Sequence, residues 1–228
     1  SNRRFIRDAE TLLKAVLEER PDLRDKKVIR QSPGSKASAI RIGNEVFKAP
    51  HQDGLENDHP LNDFQTECDE LKELENKKFS TQIPKLTTIG KKHLFVGMTA
   101  VEGVRLPFNF ESRMSPQQQQ QLAHDLVSFV IEMAHNHPMQ GEKFIIHDDL
   151  WHSNILVDPQ TLELQGVIDF GKVRYVTADE WKPMYDFEGT QFYDILQTEF
   201  DGRKGELTQQ RNLLDPKKDR TSPLFWSL

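Results

Sequence analysis

Residues 145–171 read IIHDDLWHSNILVDPQTLELQGVIDFG. The HxD triplet in this segment ends at Asp149, Asn154 follows five residues later, and Asp169 of IDFG follows after fifteen more. Two carboxylates and one carboxamide, separated by a short hairpin, are hard oxygen groups that can hold Mg²⁺ on a nucleotide and orient an attacking hydroxyl. The segment therefore predicts a phosphoryl-transfer site.

Composition narrows the classes of protein that this chain can belong to. Its 228 residues suffice for one sizeable core or two small lobes. Acidic residues number 36 against 30 basic ones, the formal net charge is −6, and no block of Lys and Arg resembles a nucleic-acid or lipid-binding patch. We expect no nucleic-acid partner, and we expect a monomer.

Cysteine usage and hydropathy bear on where the protein works. Cys68 is the one cysteine, so the fold does not depend on an oxidising compartment. No apolar run approaches the roughly 20 residues that a membrane span needs. The first ten residues, SNRRFIRDAE, lack the apolar segment of a signal peptide. We expect a cytosolic protein without a membrane span, although export by another route is compatible with the sequence.

Hydrophobic periodicity divides the first half of the chain into two helices and five strands. Apolar residues at helical spacing predict a helix over residues 3–20. Alternating residues and a Gly-Asn turn predict three strands within residues 27–49. A polar loop is expected over residues 51–62, and DFQTECDELKELE predicts the second helix. Short apolar stretches within residues 83–106 predict two more strands.

The second half begins with a long helix and ends with a short tail. Ser115 is a suitable N-cap, Pro116 fits the first helical position, and the apolar stripe continues to about His137. Only 57 residues follow Gly171, and no long apolar helix is evident among them. We expect one α+β unit of two lobes, residues 1–101 and 102–228, with a reduced and mainly helical second lobe.

A loop, a lysine and a glutamate supply the nucleotide half of the predicted site. In SPGSKASAIRIGNEVFKA, small residues around Gly34 leave backbone N–H groups free to cover phosphates, although this loop alone would be an ordinary hairpin loop. Lys48 ends the third strand, where a cation could reach the α- and β-phosphates. Glu67 lies on the following helix, where its carboxylate could pair with that ammonium.

These motifs together resemble the protein-kinase-like superfamily, which includes the aminoglycoside-type phosphotransferases. The likeness covers about residues 27–200 and keeps the family's order of glycine loop, strand lysine, helix glutamate, hinge, catalytic loop and metal aspartate. It implies a two-lobed protein-kinase-like fold whose N-terminal lobe has a five-stranded antiparallel sheet and a helix. It also implies ATP and Mg²⁺ as cofactors.

The resemblance implies a role for each residue that matches its motifs. Asp149 would accept or orient the proton of the attacking hydroxyl, and Lys48 with Glu67 would complete the catalytic set. Asn154 and Asp169 would hold Mg²⁺ through oxygen ligands.

The nucleotide is expected between the glycine loop and the hinge. Of the GxGxxGxV pattern, only Gly34 is kept. FVGMTAVEG resembles the hinge between the lobes, with Met98 at the back of the adenine pocket and residues 99–101 supplying backbone donors and acceptors. The residues expected at ATP are Gly34, Ser35, Lys36, Ala37, Lys48, Met98, Thr99 and Val101.

Two residues of the catalytic loop depart from the protein-kinase pattern. Asp148 stands where many protein kinases carry an arginine that reads a phosphorylated activation loop, which implies that this chain does not need that switch. Trp151 stands where they keep a lysine near the γ-phosphate. His152 or Lys36 could replace that missing charge.

Two kinds of supporting residue are also expected. His147 is interpreted as a structural histidine that packs beside Phe170 rather than as a base. A later aspartate should brace the catalytic loop, and the sequence leaves Asp186 and Asp194 as alternatives.

Short motifs point to two classes of phosphate acceptor. HDDLWHSNIL is close to HGDLHPGNIL of aminoglycoside-type enzymes, which favours a small alcohol, yet the tail leaves little room for their acceptor helices. The GSxA loop, VEGVRL, IIHxDL and FYxxL resemble minimal effector kinases that pathogenic bacteria inject into host cells. We expect a Ser/Thr protein kinase with a host protein substrate, cytosolic or secreted into the host cell.

Two other functions remain as alternatives to this expectation. The first is a small-molecule kinase of the aminoglycoside or choline type. The second is a pseudokinase that binds nucleotide or a partner without chemistry, which the presence of all the catalytic residues disfavours.

Overall fold

The computed structural model describes residues 6–30, 37–50 and 59–208 of the chain. The helices in this part are α1 (Ala9–Glu19), α2 (His59–Glu73), α3 (Pro116–His135) and α4 (Gln191–Arg203). The strands are β1 (Val28–Arg30), β2 (Ala37–Ile42), β3 (Glu45–Pro50), β4 (Leu86–Ile89), β5 (Val96–Thr99), β6 (Val104–Arg105), β7 (Phe144–His147), β8 (Ile155–Val157), β9 (Leu164–Val167) and β10 (Val173–Val176).

The N-terminal lobe is built on one antiparallel sheet with the strand order β1-β2-β3-β5-β4. Strand β3 lies at its centre, where Phe47 pairs with Gly97 and Lys48 pairs with Val96 of β5. A Cβ atom at Gly97 would lie 2.5 Å from the Phe47 ring, so the close packing of these strands requires glycine there. The predicted five-stranded antiparallel sheet is confirmed.

Helix α1 covers the outer face of this sheet. Its buried residues Leu12 and Val16 join a core cluster with Ile40, Phe47 and Phe95 of the sheet and its turn. The helix begins at Ala9 and not near residue 3, because the Asp8 side chain accepts the N–H of Thr11 at 2.7 Å and caps the first turn.

Helix α2 packs on the other side of β3 and begins earlier than predicted. It starts at His59, so the expected loop over residues 51–62 is wrong at its end. Pro60 falls in the first turn, where a missing N–H removes no helical hydrogen bond. The buried face of α2 includes Phe64, Glu67 and Leu71, which directs Glu67 toward the sheet.

The C-terminal lobe combines two helices with two small sheets. Ser115 caps α3 through a capping box with Gln118, and α3 then packs against α4. Strands β7 and β10 form one sheet, and β6, β8 and β9 form the other. The predicted α+β architecture of two lobes is thus confirmed, while the division at residues 101 and 102 stays a prediction. None of the described helices is long and apolar enough to span a bilayer.

One buried carboxylate ties α1 to the turn between β4 and β5. Glu19 accepts the backbone N–H groups of Lys91 at 2.6 Å, Lys92 at 2.9 Å and His93 at 3.1 Å. Burial alone would raise the pKa of Glu19, but these donors outweigh it and hold the pKa below its ordinary value of 4.5.

We expect Glu19→Ala to lower the free energy of unfolding by about 1.5–3 kcal/mol, because three N–H groups lose a charged acceptor. A carboxyl with a lowered folded-state pKa stabilises the fold above pH 4.5, and this stabilisation is lost as the pH falls through the folded-state pKa. Urea unfolding at neutral and acidic pH should show the difference between wild type and variant shrinking in acid. Glu10→Ala is the control, since that exposed pair with Lys14 is worth less than about 0.5 kcal/mol; equal losses at both positions would contradict the assignment.

Candidate active site

A buried ammonium group joins the two lobes at the centre of the molecule. Lys48 Nζ lies 2.8 and 3.2 Å from the two carboxylate oxygens of Glu67 and 3.4 Å from Oδ1 of Asp169. Burial favours the neutral amine, but the charges of Glu67 and Asp169 outweigh it and raise the pKa of Lys48. Lys48 therefore remains a cation, at the point where β3, α2 and the IDFG segment meet.

The IDFG segment presents Asp169 to this cation through an unusual backbone conformation. Asp169 has φ of 70°, in the left-handed region that L residues other than Asn and Asp seldom adopt. The Lys48 charge lowers the pKa of Asp169, which keeps the carboxylate ionised. Behind it, Phe170 is fully buried, and a Cβ at Gly171 would lie 2.9 Å from the Asp63 carbonyl oxygen of α2. The glycine thus permits α2 to lie against the segment.

The catalytic loop holds Asp149 by donors on both carboxylate oxygens. Oδ1 accepts Trp151 Nε1–H at 2.8 Å and the Lys172 ammonium at 2.8 Å. The Asn154 amide donates to the Asp149 backbone carbonyl at 2.7 Å and to Oδ2 at 3.2 Å. The loop is therefore rigid at the residue that the sequence predicts to orient the acceptor hydroxyl.

His147 connects the catalytic loop to the IDFG segment as a neutral imidazole. Burial lowers the pKa of His147, so the ring is uncharged near neutral pH. Its Nε2–H donates to the Ile168 carbonyl at 3.0 Å, and its Nδ1 accepts the Asp149 N–H at 3.3 Å. The ring lies 4.9 Å from the Phe170 ring, edge to face, as the structural interpretation predicts.

The charge next to Asp149 comes from a residue that the sequence analysis did not single out. Lys172 follows IDFG directly, and its ammonium contacts Asp149. Of the two replacements proposed for the charge missing at Trp151, His152 is engaged elsewhere, and Lys36 lies outside the described residues. Pairing of the FIIH and VRYV strands would have placed Lys172 beside the catalytic loop, and that pairing was not predicted.

The aspartate that braces the catalytic loop is Asp186. Its Oδ2 accepts the backbone N–H of His152 at 3.1 Å and lies 2.8 Å from Nδ1 of the same histidine. The Asp186 side chain is 6% exposed. Asp194 lies exposed in the first turn of α4 instead. The structure therefore separates the two candidates that the sequence left open.

The segment after IDFG is fixed by strand pairing and one ion pair. Arg174 on β10 donates to both carboxylate oxygens of Asp148, at 2.9 and 2.8 Å. The Asp148 N–H donates to the Lys172 carbonyl at 2.9 Å, which extends the β7 and β10 ladder. Asp148, which replaces an arginine of the protein-kinase pattern, thus holds a basic residue rather than a phosphate.

Two oxygen atoms in the cleft suit a divalent cation. The Asn154 amide nitrogen is used by Asp149, which leaves the Asn154 side-chain oxygen for a ligand, and Asp169 contributes a second hard oxygen. Among the described residues no cluster of three or more His, Cys, Asp and Glu side chains could hold a metal alone. The donor set therefore fits Mg²⁺, which keeps waters and takes further ligands from nucleotide phosphates.

A cleft of about 760 Å³ opens between the lobes over these groups. Its upper wall includes Ala37, Val46 and Met98, and Lys48 and Asp149 lie inside it. At the predicted hinge, the N–H groups of Thr99 and Ala100 donate to Lys85 and Asn44 carbonyls, whereas Val101 N–H donates to none of the described residues. Val101 is therefore the N–H available to an adenine ring. The predicted loop residues Gly34, Ser35 and Lys36 lie outside the described residues.

We expect Asp186→Ala to lower the free energy of unfolding by about 1–3 kcal/mol, because a backbone N–H and a histidine ring lose their buried acceptor. Asp194→Ala is the matched control and should cost no more than about 1 kcal/mol, the worth of one acid at a helix start. Urea unfolding of both variants measures this, and equal losses would contradict the bracing role of Asp186.

Comparison with known proteins identifies a sequence likeness in the catalytic segment. Residues 103–187 match the model of the phosphotransferase enzyme family APH, and this range contains Asp149, Asn154 and Asp169. No curated protein sequence matches the chain significantly.

Solved structures match over most of the chain. The ADP-bound aminoglycoside phosphotransferase APH(2'')-Ib matches with a TM-score of 0.66 and 14% identity, over 92% of this chain and 92% of that one. The GDP complex of wild-type aminoglycoside 2'-phosphotransferase-IIIa gives 0.65 and 18%, over 90% and 85%. The streptomycin–ATP complex of APH(2'')-IIa gives 0.66 and 15%, over 87% and 84%. The chain has the fold of the aminoglycoside phosphotransferases, a protein-kinase-like fold.

Proposed function

We propose that this protein is an ATP- and Mg²⁺-dependent phosphotransferase that transfers the γ-phosphoryl group to a hydroxyl. The observation that carries the proposal is the contact of Lys48 with both Glu67 and Asp169, in the cleft that also contains Asp149 and Asn154. Phosphoryl transfer from a nucleoside triphosphate needs this combination of a fixed cation, oxygen ligands for a metal and a carboxylate at the acceptor.

The nucleotide would lie under the N-terminal sheet with its base at the hinge. Met98 is 2% exposed and closes the back of the cleft, Val46 lines its upper wall, and Val101 N–H would be the donor for the adenine. The triphosphate would then extend toward Lys48, whose ammonium can bind the α- and β-phosphates. A cleft of about 760 Å³ is of the size that binds small ligands and cofactors.

The acceptor hydroxyl would bind at Asp149. One side of that carboxylate is occupied by Trp151 and Lys172, and the other receives only the longer 3.2 Å bond from Asn154. Oδ2 therefore has a lone pair to accept the proton of a hydroxyl. Mg²⁺ held by Asn154 and Asp169 would neutralise charge on the transferred group when bound.

The rim of the catalytic loop supports a protein as acceptor. Phe108 is 80% exposed with its ring 5.5 Å from that of His152, and Tyr185 is 61% exposed with its ring 4.3 Å from that of Trp151. Because both rings are exposed, they could contact a protein partner. The narrower hypothesis of an injected effector rests on the short sequence motifs alone.

The comparisons support a small alcohol at least as well. The family match covers the catalytic segment, and the solved structures include aminoglycoside phosphotransferases with bound aminoglycoside or nucleotide. The match to APH(2'')-Ib extends over 92% of that chain, so a small acceptor does not require a lobe that this chain lacks. The experiment below therefore tests both acceptor classes, a protein and a small alcohol.

We expect the wild-type protein to transfer label from γ-labelled ATP in a Mg²⁺-dependent reaction, and Asp169→Ala to abolish transfer, because the metal loses its carboxylate. The protein and this variant would be incubated with eukaryotic cell lysate, and macromolecules would be separated from small molecules. Exposed Asp179→Ala is the matched control and should retain turnover.

Label in a discrete protein band that disappears with Asp169→Ala would support a protein acceptor. Label confined to small molecules would exclude that class and support the small-alcohol kinase, and a panel of aminoglycosides and amino alcohols would then be tested. Absence of Mg²⁺-dependent turnover with any acceptor, or with water, would overturn the proposed function in favour of a pseudokinase.

A further inference from the structure

A cation is required beside the transferred phosphoryl group, and few candidates are present in the cleft. During phosphoryl transfer, negative charge develops on the transferred phosphoryl group, and enzymes offset this charge with fixed positive groups. Of the basic residues that line the described cleft, Lys48 is held by Glu67, and Arg41 is paired with Glu102 at 3.0 Å on the upper lobe. Arg105 lies exposed on the short edge strand β6. Lys172 is the basic residue that touches Asp149.

We propose that Lys172 is a catalytic residue that donates hydrogen bonds to the transferred phosphoryl group while it also holds Asp149. This inference rests on the proposed function and adds a residue to it. Its ammonium lies 2.8 Å from Asp149 Oδ1, on the carboxylate that would receive the acceptor hydroxyl. An ammonium group has three N–H donors, and among the described residues only Asp149 accepts one of them, which leaves two for phosphate oxygens.

The position of Lys172 is fixed by its backbone. Its carbonyl accepts the Asp148 N–H at 2.9 Å, and the next residue, Val173, pairs with His147 at the start of β10. The preceding Gly171 lies against the Asp63 carbonyl of α2. The backbone at Lys172 is thus held from the catalytic loop and from α2, and the contact with Asp149 places the ammonium, as electrostatic catalysis requires.

The side chain of Lys172 is 39% exposed and faces the cleft, so it can reach a ligand. Burial favours the neutral amine, but Asp149 outweighs it and raises the pKa of Lys172. The charge of Lys172 in turn contributes to the lowered pKa of Asp169. Lys172 therefore acts electrostatically on both the acceptor carboxylate and the metal carboxylate, and the γ-phosphoryl group would lie between these two.

In the transfer step, the acceptor oxygen forms a bond to the γ-phosphorus, and the bond from phosphorus to the β,γ-bridging oxygen breaks. The bond electrons leave with ADP, and the hydroxyl proton moves to Asp149. Lys172 keeps its protons throughout and donates hydrogen bonds to a γ-phosphoryl oxygen. It supplies the positive charge that the uncharged side chain of Trp151 cannot supply.

A competing role for Lys172 would be to position Asp149 without touching the phosphate. The two roles differ in a double-mutant cycle, because a residue that acts only through Asp149 has nothing to act on once that carboxylate is replaced. Since the acceptor is not identified, the probe is γ-labelled ATP with Mg²⁺ and water as acceptor, measured by release of labelled phosphate in single turnovers with enzyme in excess.

We expect Lys172→Met to lower the rate of phosphate release about 100- to 1,000-fold, the loss typical of one transition-state donor, with little change in the enzyme concentration that gives half the maximal single-turnover rate. Lys172→Arg should keep part of the rate because it keeps a cation. Lys143 directly precedes β7, at the end of the strand away from the catalytic loop. Lys143→Met removes the same charge there and should leave the rate unchanged. Urea unfolding and circular dichroism verify that each variant folds.

In an Asp149→Asn background, Lys172→Met should lower the residual rate again by at least about tenfold. No further loss in that background would overturn direct contact with the phosphoryl group. As a second measurement, ethylammonium should restore activity to Lys172→Ala, and failure of rescue would also count against the proposal. Lys172→Met with wild-type turnover, while Asp169→Ala is inactive, would refute this inference alone; a wild-type protein without turnover would refute the proposed function.

Discussion

The rest of the site depends on one largely buried ion pair, that of Lys48 with Glu67, and on its contact with the half-exposed Asp169. Taking an ammonium and a carboxylate out of water is costly, and the cost is offset only when both are paired with good geometry. The contact therefore restricts three separate elements: β3 must present Lys48 inward, α2 must turn Glu67 toward it, and the backbone must hold Asp169 in the left-handed region. The fully buried Phe170 and the close approach of Gly171 to α2 follow from the same restriction.

Neutral and charged contacts share the task of holding the catalytic loop. His147 links the catalytic loop to the IDFG segment. Burial lowers its pKa, so the ring stays uncharged near neutral pH and needs no counter-charge in the core. Farther out, Asp148 binds Arg174, an exposed pair that contributes little energy by itself. The pair lies beside the ladder between β7 and β10, and the backbone hydrogen bonds of that ladder order the segment after IDFG. We therefore predict that this segment does not need an added phosphate for its order.

The parts of the fold that could be predicted from the sequence are those set by local patterns. The Gly-Asn turn between β2 and β3, the Ser115 cap of α3 and the five strands of the first lobe all follow from neighbouring residues. The start of α2 could not be predicted because polar residues and a proline look like a loop. Lys172 and Asp186 were missed or left ambiguous because their partners, Asp149 and His152, lie 23 and 34 residues away, and only strand pairing and the turn before α4 bring them together.

The balance of charge in the cleft explains why a nucleotide and a metal would bind there together. At the inner end of the cleft, the carboxylates of Glu67, Asp149 and Asp169 contact two ammonium groups, those of Lys48 and Lys172. The two lysines offset only two of the three carboxylates, and a triphosphate would add several more negative charges beside them. A divalent cation on the Asp169 oxygen would offset two of these negative charges, and a bound ion is often the largest local charge in such a site. The metal would thus reduce the repulsion between the phosphates and the carboxylates of the cleft. Lys172 would then stabilise the charge that develops during transfer.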